Sequence, residues 1–122
     1  MSDAVTATYK VGTNKGRPRI WIDGRRLADA GFAGGIEYWC TVQCEDADFR
    51  GSAFSGRIEC AITTVLPVLE GRYSHRKRRV TGRPGGKPII DLLGRDVEAA
   101  FPGASRVRAT FSPGKIVIER EE

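Results

Sequence analysis

The chain spells nearly the same sentence twice. One copy is Pro18-Arg19-Ile20-Trp21-Ile22-Asp23-Gly24-Arg25-Arg26-Leu27-Ala28-Asp29-Ala30-Gly31-Phe32. The other is Pro88-Ile89-Ile90-Asp91-Leu92-Leu93-Gly94-Arg95-Asp96-Val97-Glu98-Ala99-Ala100-Phe101-Pro102. Pro, Gly-Arg, the aliphatic residue three after Gly (Leu27, Val97) and Ala (Ala30, Ala100) recur 70 positions apart, and Phe recurs at 69. Each copy is a short apolar run, a Gly-Arg turn, a turn or two of helix, then Phe. Each continues into an alternating strand, a break and a second strand. Such repetition points to one structural unit used twice and to a pseudo-symmetric fold.

Size sharpens that reading. At 122 residues the chain makes one compact domain or two very small interlocked ones. A half of about 50 residues buries too little surface to stand alone, so the halves should share a core. No run approaches the roughly 18 apolar residues of a membrane span, and Met1-Ser2-Asp3 does not open a signal peptide. Three cysteines, an odd number, suit a reducing cytosol. The expectation is a cytoplasmic α+β protein in which strands dominate, without membrane association.

Periodicity places the elements. Val5, Ala7 and Tyr9 alternate with Thr6, Thr8 and Lys10, as in an edge strand. Ile20 and Ile22 share a face of a short strand, and Leu27 to Ala30 form a short helix ended by Gly31. Glu37 to Gln43 is a strand partnered by Arg57 to Val65, with Cys44 to Gly56 as a long acidic, glycine-containing loop between them. In the second half Ile89 to Leu93 is a strand and Arg95 to Ala100 a helix. Arg106 to Phe111 and Lys115 to Glu119 then form a hairpin across Ser112-Pro113-Gly114. The domain plan is a first repeat over 1–70, a linker over 71–87 and a second repeat over 88–122.

Charge gives the functional signal. Arg72, Arg76, Lys77, Arg78, Arg79, Arg83 and Lys87 are seven positive charges in a stretch without an acid. Removing that +7 from the net +5 leaves the rest of the chain at −2. His75 and Tyr73 lie in the same stretch, and Thr81-Gly82-Arg83-Pro84-Gly85-Gly86 opposes regular structure. The expectation is an exposed, flexible basic strap for a polyanion, since each cation placed on a phosphate releases a counterion. A second basic group, Lys15, Arg17, Arg19, Arg25 and Arg26, opens the first copy. Arg95 matches Arg25, whereas Asp96 replaces Arg26. An Arg at a strand-to-helix turn sits beside free backbone N–H groups, where a phosphate is welcome. It can equally pair with Asp23 or Asp91 just upstream.

The residues for catalysis are sparse. His75 is the only histidine, which argues against Ser-His-Asp or Cys-His chemistry and leaves RNA cleavage as its one enzymatic role. Cys40 and Cys44, four apart on a strand, stand about 13 Å apart, too far to share a zinc. Cys40 and Cys60 read as small core residues. Glu45, Asp46 and Asp48 form an acidic loop that could hold a divalent cation but is more simply solvated. Gly82 to Lys87 lacks the spacing and the Ser or Thr of a phosphate-binding loop. No metal or cofactor is expected. Tyr38 and Trp39 point to opposite faces of one strand, so one of them faces outward or meets a partner.

The stretch from Lys15 to Val42, with Gly24, Leu27, Gly31 and Phe32, resembles the signature of SymE-like toxins, members of the AbrB/MazE swapped-hairpin superfamily. Lys87 to Glu119 is similar more weakly, its Ala-Gly-Phe reduced to Ala-Ala-Phe. The resemblance implies two tandem swapped-hairpin units that close into one intrachain pseudo-dimeric barrel. It implies a basic face that binds nucleic acid, and it assigns no catalytic residue here.

The leading expectation is a non-enzymatic nucleic-acid-binding regulator of phage or mobile-element type, with DNA ahead of RNA. Its expected contacts are Arg72, His75, Arg76, Lys77, Arg78, Arg79, Arg83, Lys87, Arg17, Arg19, Arg25, Arg26 and Arg95. The alternatives are a protein-binding inhibitor, such as an anti-defence factor or antitoxin working through the 44–56 loop, and a SymE-like RNA-cleaving toxin. The chain is expected as a monomer with internal pseudo-symmetry or as a homodimer.

Overall fold

The computed structural model describes residues 5–49, 52–54, 56–63, 65–66, 68–69, 72–83 and 85–121, with backbone alone over 46–49 and 52–54. Strands dominate. They are β1 (Val5–Lys10), β2 (Gly12–Asn14), β3 (Arg17–Asp23), β4 (Glu37–Gln43), β5 (Asp46–Phe49), β6 (Ser52–Phe54), β7 (Arg57–Ala61), β8 (Tyr73–Arg79), β9 (Ile89–Leu93), β10 (Arg106–Ser112) and β11 (Lys115–Arg120). Two short helices, α1 (Arg25–Asp29) and α2 (Arg95–Ala100), follow the two Gly-Arg turns. Gly24 and Gly94 turn the chain at φ 87° and 45°, in the left-handed region that excludes most side chains.

An antiparallel six-stranded sheet runs β1-β10-β11-β7-β4-β8, and a smaller one runs β2-β3-β9. The halves are interlaced. β1, from the first half, pairs with β10 of the second, while β8, leading into the second half, pairs with β4 of the first. β7 and β11 meet at the middle of the large sheet with Ile58 opposite Ile118. In the small sheet Ile20 faces Leu92 and Ile22 faces Ile90, either side of Trp21 and Asp91.

Backbone hydrogen bonds repeat across an approximate twofold. Gly24 N–H donates to Pro88 O, and Gly94 N–H donates to Pro18 O. Val11 N–H donates to Ser105 O, as Val80 N–H does to Ile36 O. Glu45 N–H reaches Ala99 O, as Gly114 N–H reaches Ala30 O. In each pair of bonds the equivalent donors, and the equivalent acceptors, are 69 or 70 residues apart, the period of the sequence repeat.

The repeated apolar residues are the core. Leu27 and Val97, Ala30 and Ala100, and Phe32 and Phe101 are all buried, in one cluster with Ile20, Ile22, Ile90 and Leu92. That cluster continues through Tyr38, Cys40 and Val42 of β4 to Val107, Ala109 and Phe111 of β10. Burial at about 25 cal/mol per Å² of apolar surface is the main stabilising term, and it is shared by both halves.

Four expectations need correction. The sheets do not close into a barrel: β1 and β8 pair on one side only among the described residues, and the large sheet stays open. The basic stretch is not a strap along its whole length, because 73–79 is β8, hydrogen-bonded along β4 from Gln43–Tyr73 to Glu37–Arg79, whereas 82–83 and 85–86 form no strand or helix. A strand partner supplies the backbone hydrogen bonds that a run of cations, without apolar alternation, does not announce. The 44–56 segment is not simply a loop, since β5 and β6 pair within it. Finally, β7 ends at Ala61 rather than Val65.

Candidate nucleic-acid interface

The basic residues are arranged by the register of β8 on β4. Tyr38, Cys40 and Val42 point into the core, and their partners Arg78, Arg76 and Ser74 therefore point to the same face. At the sheet edge that face is open, so the two arginines extend along it instead of into the core. Arg76 Nη1 lies 3.7 Å and Arg78 Nη1 3.9 Å from Oδ2 of Asp96, a buried residue of α2. Arg78 also donates to the backbone oxygen of Asp91 at 3.3 Å. A charged side chain this deep needs partners, and Asp96 has two.

Alternate residues of β8 face the other way. Lys77 and Arg79 approach Glu37 at 3.7 and 3.4 Å. These pairs are more than half exposed on the cation side, where such contacts contribute little, and the cations remain available to a ligand. The five cations Arg76, Lys77, Arg78, Arg79 and Arg95 line a groove of about 440 Å³ with Leu93 and Asp96. Arg95 comes from the second Gly-Arg turn and forms no ion pair among the described residues. The groove is open, polar and positive.

Two more arginines extend this patch along β3. Arg19 grips Asp91 with both Nε and Nη2 at 2.9 Å, and its guanidinium lies 4.3 Å from the centroid of the Trp21 ring. The hydrogen bonds to Asp91 raise the pKa of Arg19 further. Arg17 donates to Glu98 from Nε at 2.9 Å and packs against Gly94. Hence the seven cations on and beside the β8 edge stand among four carboxylates, Glu37, Asp91, Asp96 and Glu98.

A second group gathers at the other end of the β3–β9 ladder, roughly 13 Å away by strand rise. Lys87 binds Asp23 at 3.0 Å. Trp21 Nε1 donates to the same carboxylate at 3.1 Å, and the two hydrogen bonds, Trp21's the larger, hold the Asp23 pKa below its usual range. Arg25 and Arg26 follow at the start of α1, Arg26 beside Val5 and Phe111, and the backbone at Arg83 lies against Gly34. Arg25, Arg26 and Arg83 form no side-chain ion pair among the described residues.

The expected contacts thus divide. Arg76 and Arg78 from one face of β8, Lys77 and Arg79 from the other, and Arg95 of α2 meet at the groove along its edge, with Arg17 and Arg19 beside it on β3. Lys87 lies with Asp23 at the far end of the β3–β9 ladder, and Arg25, Arg26 and Arg83 do not line the groove. Arg72 stands beyond the far end of β8, its backbone oxygen accepting from Cys44 N–H. His75 does not line the groove: its Nδ1 is 2.7 Å from Thr41 Oγ1, and Tyr73 packs edge-on against its ring. The stretch that reads as seven cations without an acid meets acids from elsewhere in the chain. Arg25 and Arg95 do not pair with Asp23 and Asp91, which are taken by Lys87 and Arg19 instead.

Two groups were not foreseen. Asp96 organises the arginine pair, and its only sequence signal was the replacement of Arg26 by an acid in the second copy. Asp91 binds Arg19 across 72 residues, which no local spacing reveals. Of the aromatic pair, Tyr38 is buried and packs on Phe32, while Trp39 is half-buried on the opposite face. Cys40 and Cys60 are buried directly across from each other. The hydrogen bond to Cys40, added to burial, pushes the Cys60 thiol well up. The side chains of Asp46 and Asp48 lie outside the described residues, and among the described residues no group of three His, Cys, Asp or Glu converges on a metal position. No helix among them is long and apolar enough to cross a membrane. Compared with protein-family models, curated proteins and solved structures, the chain matches none.

Proposed function

We propose that the chain is a non-enzymatic nucleic-acid-binding protein, with duplex DNA as its ligand, and that the β8 groove is the contact surface. One observation carries this reading: an edge strand and a Gly-Arg turn bring five cations to a groove whose single carboxylate faces two of them. Arginine forks suit phosphate oxygens, and a groove open along its length admits a backbone rather than a compact small molecule. The interlaced pairing of β1 with β10 and β8 with β4 supports a tandem swapped-hairpin architecture of AbrB/MazE type, with two units joined in one chain. In that reading the chain acts as a regulator, of the kind phages and mobile elements carry.

The test is fluorescence anisotropy of labelled duplex DNA, single-stranded DNA and RNA across a salt series from about 50 to about 200 mM, where phosphate contacts are lost steeply. Duplex DNA should bind with a steep salt slope, and an Arg76→Ala/Arg78→Ala/Arg95→Ala variant should lose most of that binding. Absence of binding to all three ligands at low salt would overturn the reading.

A second reading rests on the β5–β6 ribbon, which forms a sheet of its own and has no counterpart in the second half, where Ser112-Pro113-Gly114 closes the hairpin tightly. An added ribbon outside the shared fold suits a protein partner. Deleting residues 46–54 should leave DNA binding intact and abolish a protein partnership.

A further inference from the structure

The two edges of the large sheet occupy equivalent places in the pseudo-twofold and carry opposite chemistry. β8 holds four Lys or Arg residues and a His in seven residues. A second β8 laid against it would set cations beside cations, which is a standard way to keep a sheet edge single. β1, Val-Thr-Ala-Thr-Tyr-Lys, has one charge, at its last position. It contains no Pro and no bulge in its pairing with β10, and its outer edge is unpaired among the described residues. Val5 sits on the core-facing side opposite buried Phe111, yet remains 50% exposed. An edge left so open is built to be covered.

We propose that β1 pairs antiparallel with β1 of a second copy of this chain, joining two six-stranded sheets into one. The strand is complementary to itself in one register. With Ala7 on the dyad, Thr6 lies opposite the partner's Thr8, and Val5 lies opposite the partner's Tyr9. Residues directly opposed must share a face, and this register meets that rule: Val5, Ala7 and Tyr9 are core-side, while Thr6 and Thr8 are solvent-side. Thr–Thr and aromatic–β-branched pairs are among the favourable cross-strand combinations. Lys10 falls outside the paired segment and meets no like charge. The partner's Tyr9 would cover Val5 at the mouth of a cavity of about 290 Å³ whose lining includes Val5, Ala30, Phe111 and Pro113 together with Arg26 and Asp29. The β8 edges stay at the two far ends of the joined sheet. The inference uses the sheet edge alone and stands whether or not the chain binds nucleic acid.

The experiment is sedimentation velocity from about 1 µM to about 1 mM, the range in which a small interface associates. The mass should rise with concentration from 13.4 kDa toward twice that value. Thr6→Lys/Thr8→Lys places lysine against lysine across the dyad twice and should raise the dissociation constant at least tenfold. Thr6→Glu/Thr8→Lys instead sets a carboxylate against an ammonium at both of those positions, and should restore association to the unaltered level or tighter. Both positions are exposed, so far-ultraviolet circular dichroism should show both variants folded. A monomer throughout the range would overturn the proposal. So would a dimer that both variants leave unchanged, or one that both weaken equally.

Discussion

Arg19 and Asp91 hold the two repeats together through a bidentate ion pair between facing strands, with Nε on Oδ1 and Nη2 on Oδ2, both at 2.9 Å. The side chains are about 30% and 24% exposed, so water screens the pair only partly. Trp21 stacks beneath the guanidinium and restricts it further. Lysine offers one charge centre where the geometry asks for a planar fork. Arg19→Lys should therefore cost about 1 kcal/mol in urea unfolding, with an unchanged slope. A loss below a few tenths would show the fork to be unimportant.

In the proposed complex Asp96 would compete with phosphate for Arg76 and Arg78. Its contacts of 3.7 and 3.9 Å are ionic rather than close hydrogen bonds, so a ligand can draw the arginines away. Asp96→Asn should tighten DNA binding about three- to tenfold and steepen its salt slope by about one. Weakened binding would instead mean that the carboxylate positions the arginines for the ligand.

At the centre of the large sheet Ile118 faces Ile58, and both are fully buried. Ile118→Ala should destabilise the protein by about 2–5 kcal/mol. Because the strands of each half pair into the other, unfolding should remain one transition by fluorescence and circular dichroism alike. Two separated transitions would mean that the halves are independent.

Gly56 admits no side chain for a different reason. A Cβ there would lie 1.6 Å from the Ala100 carbonyl oxygen, so β7 and the end of α2 approach through the glycine. Backbone on both sides must move to relieve that clash. Gly56→Ala should cost more than about 3 kcal/mol in chemical denaturation, beyond ordinary overpacking.

Asp23 gives the fold a pH dependence of known sign. Its native pKa is lowered by Trp21 and Lys87, so its contribution is present at neutral pH and fades as pH falls through the native titration, below about pH 4. Asp23→Asn should lower the melting temperature near neutrality and bring it closer to the unaltered protein in acid. The pair with Lys87 is exposed, so the shift should be small.

The repeat made much of this fold legible. Its apolar residues marked the core, its short apolar runs marked β3 and β9, its Gly-Arg steps marked both helix starts, and alternation placed β1, β4, β10 and β11. What remained hidden is long-range. β8 has no apolar alternation and owes its form to β4, so its composition suggests an unstructured segment. The basic residues were legible as composition, but their separation between the β8 groove and the far end of the β3–β9 ladder was not. The separation follows from which acids arrive from other strands, as Glu98 reaches Arg17 over 81 residues.

Interlacing also changes how such a fold can form. Were β1 and β8 exchanged between separate chains, native pairing would need an encounter, and stability would fall on dilution. Here the exchanging strands belong to one polypeptide, at an effective concentration set by tether length. Each half can therefore complete the other in a first-order step, and the fold should survive at any dilution a cell or a cuvette imposes.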